Sequence, residues 1–544
     1  MPSLETLESL IAFLSKVVDK SGTGRADPVP ENPENPLNAV KNKPRRLCAF
    51  LDALAFLMVS EPKHQVFAIS LRVRTINALS KVKQQHVVKD TWLWSKEGAF
   101  ERHINNRDQE FIEVMIASND AAVPLEKAKL LHRIWTSLKC LSDQLYPSRQ
   151  RFKTMAVSPP PIRIEVLNPN SKLHSDAHTL IRLLLENIWA QICKRIASKY
   201  DKFTAIQVDP EKIDSSHSWF LVDRYMRALY NRYIGQAGPV QVRKPQSAKD
   251  WDIFWTLLFQ TMEVIDNFVN PRDGRASGFG SSLIYVTGLN WEYKKYLTKI
   301  ASIPKEILTF WDVINSPQCR PIFEKDFVIR PTRTFTTIEK TVLPNNPEGW
   351  LQVFRGALNY RNARRGANEE LELVDGPVSE ALNKVNGKFG PNTVSKVIHA
   401  EIKVATEIVL ERNGGYNPGF TYIGVSKLCC RPCYEFVLAM REFGIHFVVH
   451  GEHGKCYYPW TIPKELVKEA LAEHLVTTVR GNLATKFCDL CHTDFFRVKT
   501  QSVRADDTDR TMSTEKKVGP SRDDPRFSNV LEEVEAEIVV FGKK

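Results

Sequence analysis

Apolar residues recur at helical spacing over most of the first 340 positions. Leu4, Leu7, Leu10, Ile11, Leu14, Val17 and Val18 form one apolar face, which predicts a helix over residues 1–20. A Pro-, Asn- and Gly-rich stretch over 21–43 reads as a linker. Longer helical patterns follow at Leu125 to Leu145, Leu180 to Ala197 and Trp251 to Val269. Residues 44–327 therefore read as a mostly helical accessory region of one or two domains. Its Trp135, Trp189, Trp251 and Trp255 lie in helical patterns, where such side chains belong to a core rather than to a base-stacking platform. No repeat of fixed period is present. A Pro/Thr/Asn-rich stretch over 328–349 reads as a second linker.

Beyond it the pattern changes, and residues 350–500 read as a separate domain. Ile402, Ala405, Ile408 and Val409 recur at helical spacing, and Asn413-Gly414-Gly415 predicts the helix end. Phe420 to Val425 is a short run of β-formers. Cys433, Phe436, Val437 and Met440 predict a second helix ending near Gly444, and Ile445 to Val449 a second strand. Helix, strand, helix, strand in that order predicts an α/β fold with a largely parallel sheet covered by helices. Leu371 to Val374 and Thr393 to Ile398 are the candidates for the first two strands. Pro463, Leu466, Val467, Ala470, Leu471 and Leu475 mark a further helix, capped by Thr461. Residues 501–544 read as a largely disordered polar tail with a short apolar element, Val530 to Phe541.

The chemistry is concentrated in this second region. His399-Ala400-Glu401 is followed by Cys430-Arg431-Pro432-Cys433, with thirty residues between His399 and Cys430. One imidazole and two thiolates make three zinc ligands, and a three-ligand set leaves a coordination position open, as catalytic zinc requires. Residues at i and i+2 point to different sides of a helix, so His399 and Glu401 converge only if His399 stands at the helix entrance. A helix start also favours the thiolates that bind metal.

These residues resemble the signature of the cytidine-deaminase-fold superfamily, His-x-Glu with Pro-Cys-x-x-Cys. Tyr422 to Leu428, the stretch Gly451-Glu452-His453-Gly454-Lys455 and Trp460 resemble more narrowly the bacterial-toxin-like nucleic acid deaminase family widespread in fungi. The sequence departs from the signature at Cys429, where the superfamily has Pro. The resemblance spans about residues 350–500. It implies a three-layer domain, a mixed sheet with helices on both faces, in the C-terminal half behind the mostly helical region. It implies Zn2+ held by His399, Cys430 and Cys433, with Cys429 a bystander. It also implies Glu401 as proton carrier and a nucleobase-containing substrate, with single-stranded nucleic acid among the candidates. His453 lies in a loop after the second strand and is a substrate-loop candidate.

Composition adds bounds. The 544 residues carry a formal net charge of +12, which fits an anionic partner only weakly because it is spread along the chain. The ten cysteines form no evenly spaced framework, as in a reduced intracellular protein, cytoplasmic or nuclear. The N-terminus lacks a basic signal region, and the apolar run Ala49 to Val59 contains Asp52 and is too short to span a bilayer, so no membrane role is expected. Lys41 to Arg46 reads as a solvated linker end or a nuclear import patch, and Arg361, Arg364 and Arg365 as a solvated face or a phosphate contact. Cys488, Cys491 and His492, with His450, His453 and Cys456, are candidates for a second zinc site, and His174 and His178 for surface histidines. Two functions follow. One is a zinc-dependent deaminase of a nucleobase. The other is an inactive deaminase-like zinc scaffold whose helical region binds a protein partner.

Overall fold

The computed structural model describes residues 9–12, 43–61, 65–75, 93–94, 110–119, 123–150, 163–164, 169–206, 218–235, 244–269, 293–317, 319–337, 343–365, 396–412, 422–442, 445, 447–453 and 455–467, with single positions between 380 and 385 and between 475 and 485. Two compact units emerge. One draws on Met1–Met58, Gln65–Thr136 and Pro317–Ala505, and the other is built chiefly of Ser137–Ser316.

The first unit contains helices α1 (Lys43–Met58) and α2 (Leu125–Gln150, shared with the second unit) and strands β1 (Phe67–Thr75), β2 (Leu93–Trp94) and β3 (Glu110–Ser118). The second unit is helical, with α3 (Lys172–Asn187), α4 (Trp189–Ala197), α5 (Tyr200–Thr204), α6 (Ser218–Tyr233), α7 (Ala248–Val269) and α8 (Tyr293–Ile314). The chain then returns to the first unit through α9 (Arg320–Glu324), β4 (Asp326–Pro331), α10 (Pro347–Arg365), α11 (Ala400–Arg412), β5 (Ile423–Val425), α12 (Arg431–Glu442) and α13 (Lys464–Val467).

The strand order is β2-β4-β3-β1-β5, parallel between β3 and β4 and antiparallel elsewhere. A parallel bridge between Tyr422 and Val448 carries the pairing one segment beyond β5. Side chains alternate across a strand. Ala68, Ser70 and Arg72 thus face one side of the sheet, with Glu113, Met115, Ala117 and Arg330. Arg72 and Arg330 reach Glu411 on α11, which fixes that side as the α11 face. Phe327 points the other way, to Trp135 of α2, which in turn meets Phe50 of α1. The unit is a mixed sheet with helices on both faces.

Three sequence expectations are corrected. Residues 44–327 are not simply helical, because they supply β1, β2 and β3. Residues 328–349 are not simply a linker, because Val328, Ile329 and Arg330 are buried in β4. The sheet that β5 joins extends beyond 350–500, because its neighbour β1 lies some 350 residues upstream. The helical unit is inserted within this sheet unit rather than placed before it. The helical patterns at Leu125, Leu180 and Trp251 agree with α2, α3 with α4, and α7, and the four tryptophans are buried. Ile445 to Val449 contributes the bridge at Val448 rather than a longer strand. The tail 501–544, residues 21–42 of the expected linker, Leu371 to Val374, and the side chains of Arg361, Arg364 and Arg365 lie outside the described residues. No helix among the described residues is long and apolar enough to cross a membrane.

Gly424 shows how tightly α1 covers β5. A Cβ there would stand 2.4 Å from the Leu51 carbonyl carbon, which is backbone and cannot swing aside. Asp52, next in α1, accepts hydrogen bonds from the Tyr422 hydroxyl at 2.6 Å and the Val425 N–H at 3.0 Å. Gly424→Ala should therefore destabilise the chain by about 1–3 kcal/mol, the usual cost of overpacking, read as a lowered urea midpoint.

Candidate metal centre

His399 immediately precedes α11, and its carbonyl accepts the first intrahelical bond, from Lys403 N–H at 3.1 Å. Cys430 plays the same part for α12, accepting from Tyr434 N–H at 3.0 Å. Two helix N-termini thus meet, and the convergence that the i, i+2 spacing required is achieved by keeping His399 out of the helix. Glu401 lies in the first turn of α11 and Cys433 in that of α12.

Side-chain ligand atoms of His399, Glu401, Cys430 and Cys433 all lie within 4.8 Å of one another, the sole such group of three or more metal-ligating residues among the described residues. His399 Nδ1 stands 3.4 Å from Cys430 Sγ and 3.3 Å from Cys433 Sγ, and the two sulfurs are 3.3 Å apart. The Trp460 indole N–H donates to Cys433 Sγ at 3.1 Å, a contact that leaves the sulfur's other lone pairs for a cation. The chain around Trp460 is tied to the His399 entrance: Val397 N–H donates to the Pro459 carbonyl at 2.7 Å, and Thr461 N–H to the Val397 carbonyl at 3.2 Å.

Burial alone would push every thiol here up. For Cys430 that effect is outweighed by the Cys433 thiol and the His399 imidazole, which bring it down to about 6. Burial would lower His399, but the Cys430 thiolate outweighs it and raises the ring to about 9. The Cys433 thiol is pushed well up, by burial first and then by Cys430. The donor set is already charge-separated, and a divalent cation replaces protons on it. Glu401 is 3% exposed, and its Oε2 has no hydrogen-bond partner among the described residues. A buried, unpartnered carboxylate oxygen beside two thiols is costly unless a cation or a donor faces it. The residues present fit a metal ion of the zinc type: one nitrogen, two sulfurs, and a carboxylate beside them.

Cys429 is fully buried, its thiol raised well above the ordinary value by burial and then by the Glu401 charge. It faces Glu401 and is not in the ligand group. Its backbone bridges the following loop, donating to the Gly451 carbonyl at 3.1 Å and accepting from His453 N–H at 3.1 Å. That pairing brings His453 to the site. Its Nδ1 accepts from Lys455 N–H at 3.1 Å, and its ring meets Tyr457 edge to face at 5.2 Å. Burial lowers its pKa, so the ring is neutral near pH 7. Tyr457 stands 6.5 Å from His399, ring to ring. Sequence reading missed Tyr457 because an aromatic in an irregular loop carries no periodic signal.

Other candidates do not join the group. His450 lies 3.5 Å from Asp52, and Cys456 is a buried thiol. Cys488, Cys491 and His492 lie outside the described residues. His174 and His178 stack at 4.1 Å on α3 in the helical unit, where His178 Nδ1 meets Asp252 at 2.8 Å.

The sequence missed a second buried group. Arg72 reaches Glu113 at 2.8 Å and Glu411 at 2.7 Å. Arg330 reaches Glu113 at 2.9 Å, Glu407 at 2.8 Å and Glu411 at 2.7 Å, and Arg333 reaches Glu407 at 2.9 Å. Three guanidinium groups thus balance three carboxylates across the face of the sheet that α11 covers. Glu407 and Glu411 are on the helix that starts at His399, so this network anchors the helix carrying the metal-site residues.

Comparison with known proteins agrees with the geometry. The family model described as OTT_1508_deam, a deaminase-like family, matches residues 398–464. That stretch is a deaminase-like domain of the cytidine deaminase-like superfamily, and it includes all four clustered residues. No curated protein and no solved structure matches the chain.

Proposed function

We propose that the chain is a zinc-dependent hydrolytic deaminase acting on a nucleobase, free or within a nucleotide or nucleic acid. The observation that carries the reading is the grouping of His399, Cys430 and Cys433 with a buried Glu401 whose Oε2 has no partner. His399, Cys430 and Cys433 would hold the metal. When bound, zinc supplies a Lewis acid that brings the pKa of water towards neutrality.

The residues of the chain do the rest. Glu401 takes one proton from water and delivers it to the ring nitrogen next to the amino-bearing carbon. It then takes the second proton, from the hydroxyl added to that carbon, and passes it to the amine, so that the carbonyl forms as the C–N bond breaks and ammonia leaves. Trp460 holds Cys433 in place through its N–H. His453, neutral at the mouth of the site, belongs to the loop that meets the substrate. A scaffold whose zinc is structural would have no use for a buried carboxylate with an unpartnered oxygen. The net charge of +12, spread along the chain, adds only weakly to the case for an anionic substrate.

The test is ammonia release by the full-length protein from cytosine- and adenine-bearing nucleosides, single-stranded DNA and single-stranded RNA. Turnover on at least one is expected. A zinc-replete protein inactive on all of them would favour the scaffold.

A further inference from the structure

The deaminase reading leaves open how the ring is held, and the inference below rests on that reading. Three large hydrophobic side chains are exposed among the described residues, and the most exposed of them, Tyr457 at 50%, is the one at the metal centre. Its ring stands 6.5 Å from that of His399, and burial and then Cys430 push its phenol up. His453 meets it edge to face at 76° and is itself fixed by the Lys455 N–H, so the tyrosine ring is buttressed on that side. Close by, the Oε2 of Glu401 is buried without a partner. An aromatic wall that is open to water and a buried acceptor thus stand at one centre. A planar ring with an N–H or amino group answers both, since its face covers the tyrosine and its polar edge meets the carboxylate.

We propose that Tyr457 is the ring-binding residue of the site, stacking on the face of an unpaired amino-bearing nucleobase. A paired base has both faces covered within the duplex stack, so the ligand class is a free nucleotide or an unpaired nucleotide of a strand.

The experiment titrates cytidine 5′-monophosphate and adenosine 5′-monophosphate, by calorimetry, into the full-length Glu401→Gln protein. Turnover is removed there, so binding is read separately from chemistry. Ribose 5-phosphate is the control without a ring. At least one nucleotide should bind and ribose 5-phosphate should not. Adding Tyr457→Ala should weaken binding about 5- to 150-fold, the usual worth of one base–aromatic stack, and Tyr457→Trp should restore it. Zinc content should be unchanged in both, because Tyr457 is not in the ligand group. Binding that is insensitive to Tyr457→Ala, or the failure of both nucleotides to bind, overturns the inference. Nucleotide binding through Tyr457 in a protein that releases no ammonia would keep the inference and discard deamination. Ammonia release with an unchanged KM in Tyr457→Ala would do the reverse.

Discussion

Glu401→Gln is expected to lower ammonia release by about 10²–10⁴-fold while leaving zinc content and fold intact. Glu401 sits in the first turn of α11 at 3% exposure, and its Oε2 has no partner. Glutamine keeps the shape and volume of the side chain, so packing against Cys429 and the helix start survives. It has no carboxylate to take up a proton at neutral pH, so the transfers to ring nitrogen and amine lose their carrier. Because His399, Cys430 and Cys433 are untouched, elemental analysis should return the wild-type metal content. A scaffold behaves differently, with no turnover in the wild type and no change in partner binding on substitution. Turnover that survives Glu401→Gln would remove the residue from the mechanism.

Arg330→Met is expected to destabilise the sheet unit by about 3–5 kcal/mol, a fall in Tm on the order of 10 °C. Burial would lower the Arg330 pKa, but Glu113, Glu411 and Glu407 outweigh it and hold the guanidinium charged. Removing it leaves three carboxylates facing two guanidinium groups, Arg72 and Arg333, in a site where Glu113 is fully buried. The cost comes mainly from that uncompensated charge, so replacing Arg330 and its carboxylate partners together by apolar residues should cost less than Arg330→Met alone. The network also sets an acid limit. Burial would raise Glu407, but Arg330 and Arg333 bring it below the ordinary carboxylate value. Its folded pKa is therefore below its unfolded pKa of about 4.3. Its contribution is present above that value and is lost as pH falls through the folded pKa. Thermal melts should show stability falling from about pH 4 downwards, and less steeply in Arg330→Met.

The grouping of the four residues was legible because its information is local. His399, Glu401, Cys430 and Cys433 declare their chemistry by type and spacing, and the helix starts at Ala400 and Arg431 follow from residues within one turn. The stop at Asn413-Gly414 likewise predicts the end of α11 at Arg412. The sheet was not legible because its information is distant. Phe67–Thr75 contains Arg72 and Glu110–Ser118 contains Glu113, and charges inside a short apolar run argue against a buried strand. They are tolerated because Arg72 and Glu113 stand opposite each other in register and pair, and Arg72 also meets Glu411, over 300 residues away in the chain. Val328 to Arg330 reads as linker because Pro331 and the threonines follow, yet β4 pairs in parallel with β3 across the whole inserted helical unit. Parallel pairing leaves no turn signal to read.

We propose that His399, Cys430 and Cys433, and not Cys429, hold a catalytic metal. Elemental analysis of the purified full-length chain, with Cys430→Ser and Cys429→Ser beside the wild type, tests it most directly. About one zinc per chain is expected in the wild type and in Cys429→Ser, with its loss in Cys430→Ser. Zinc that is stripped by Cys429→Ser but retained by Cys430→Ser would contradict it.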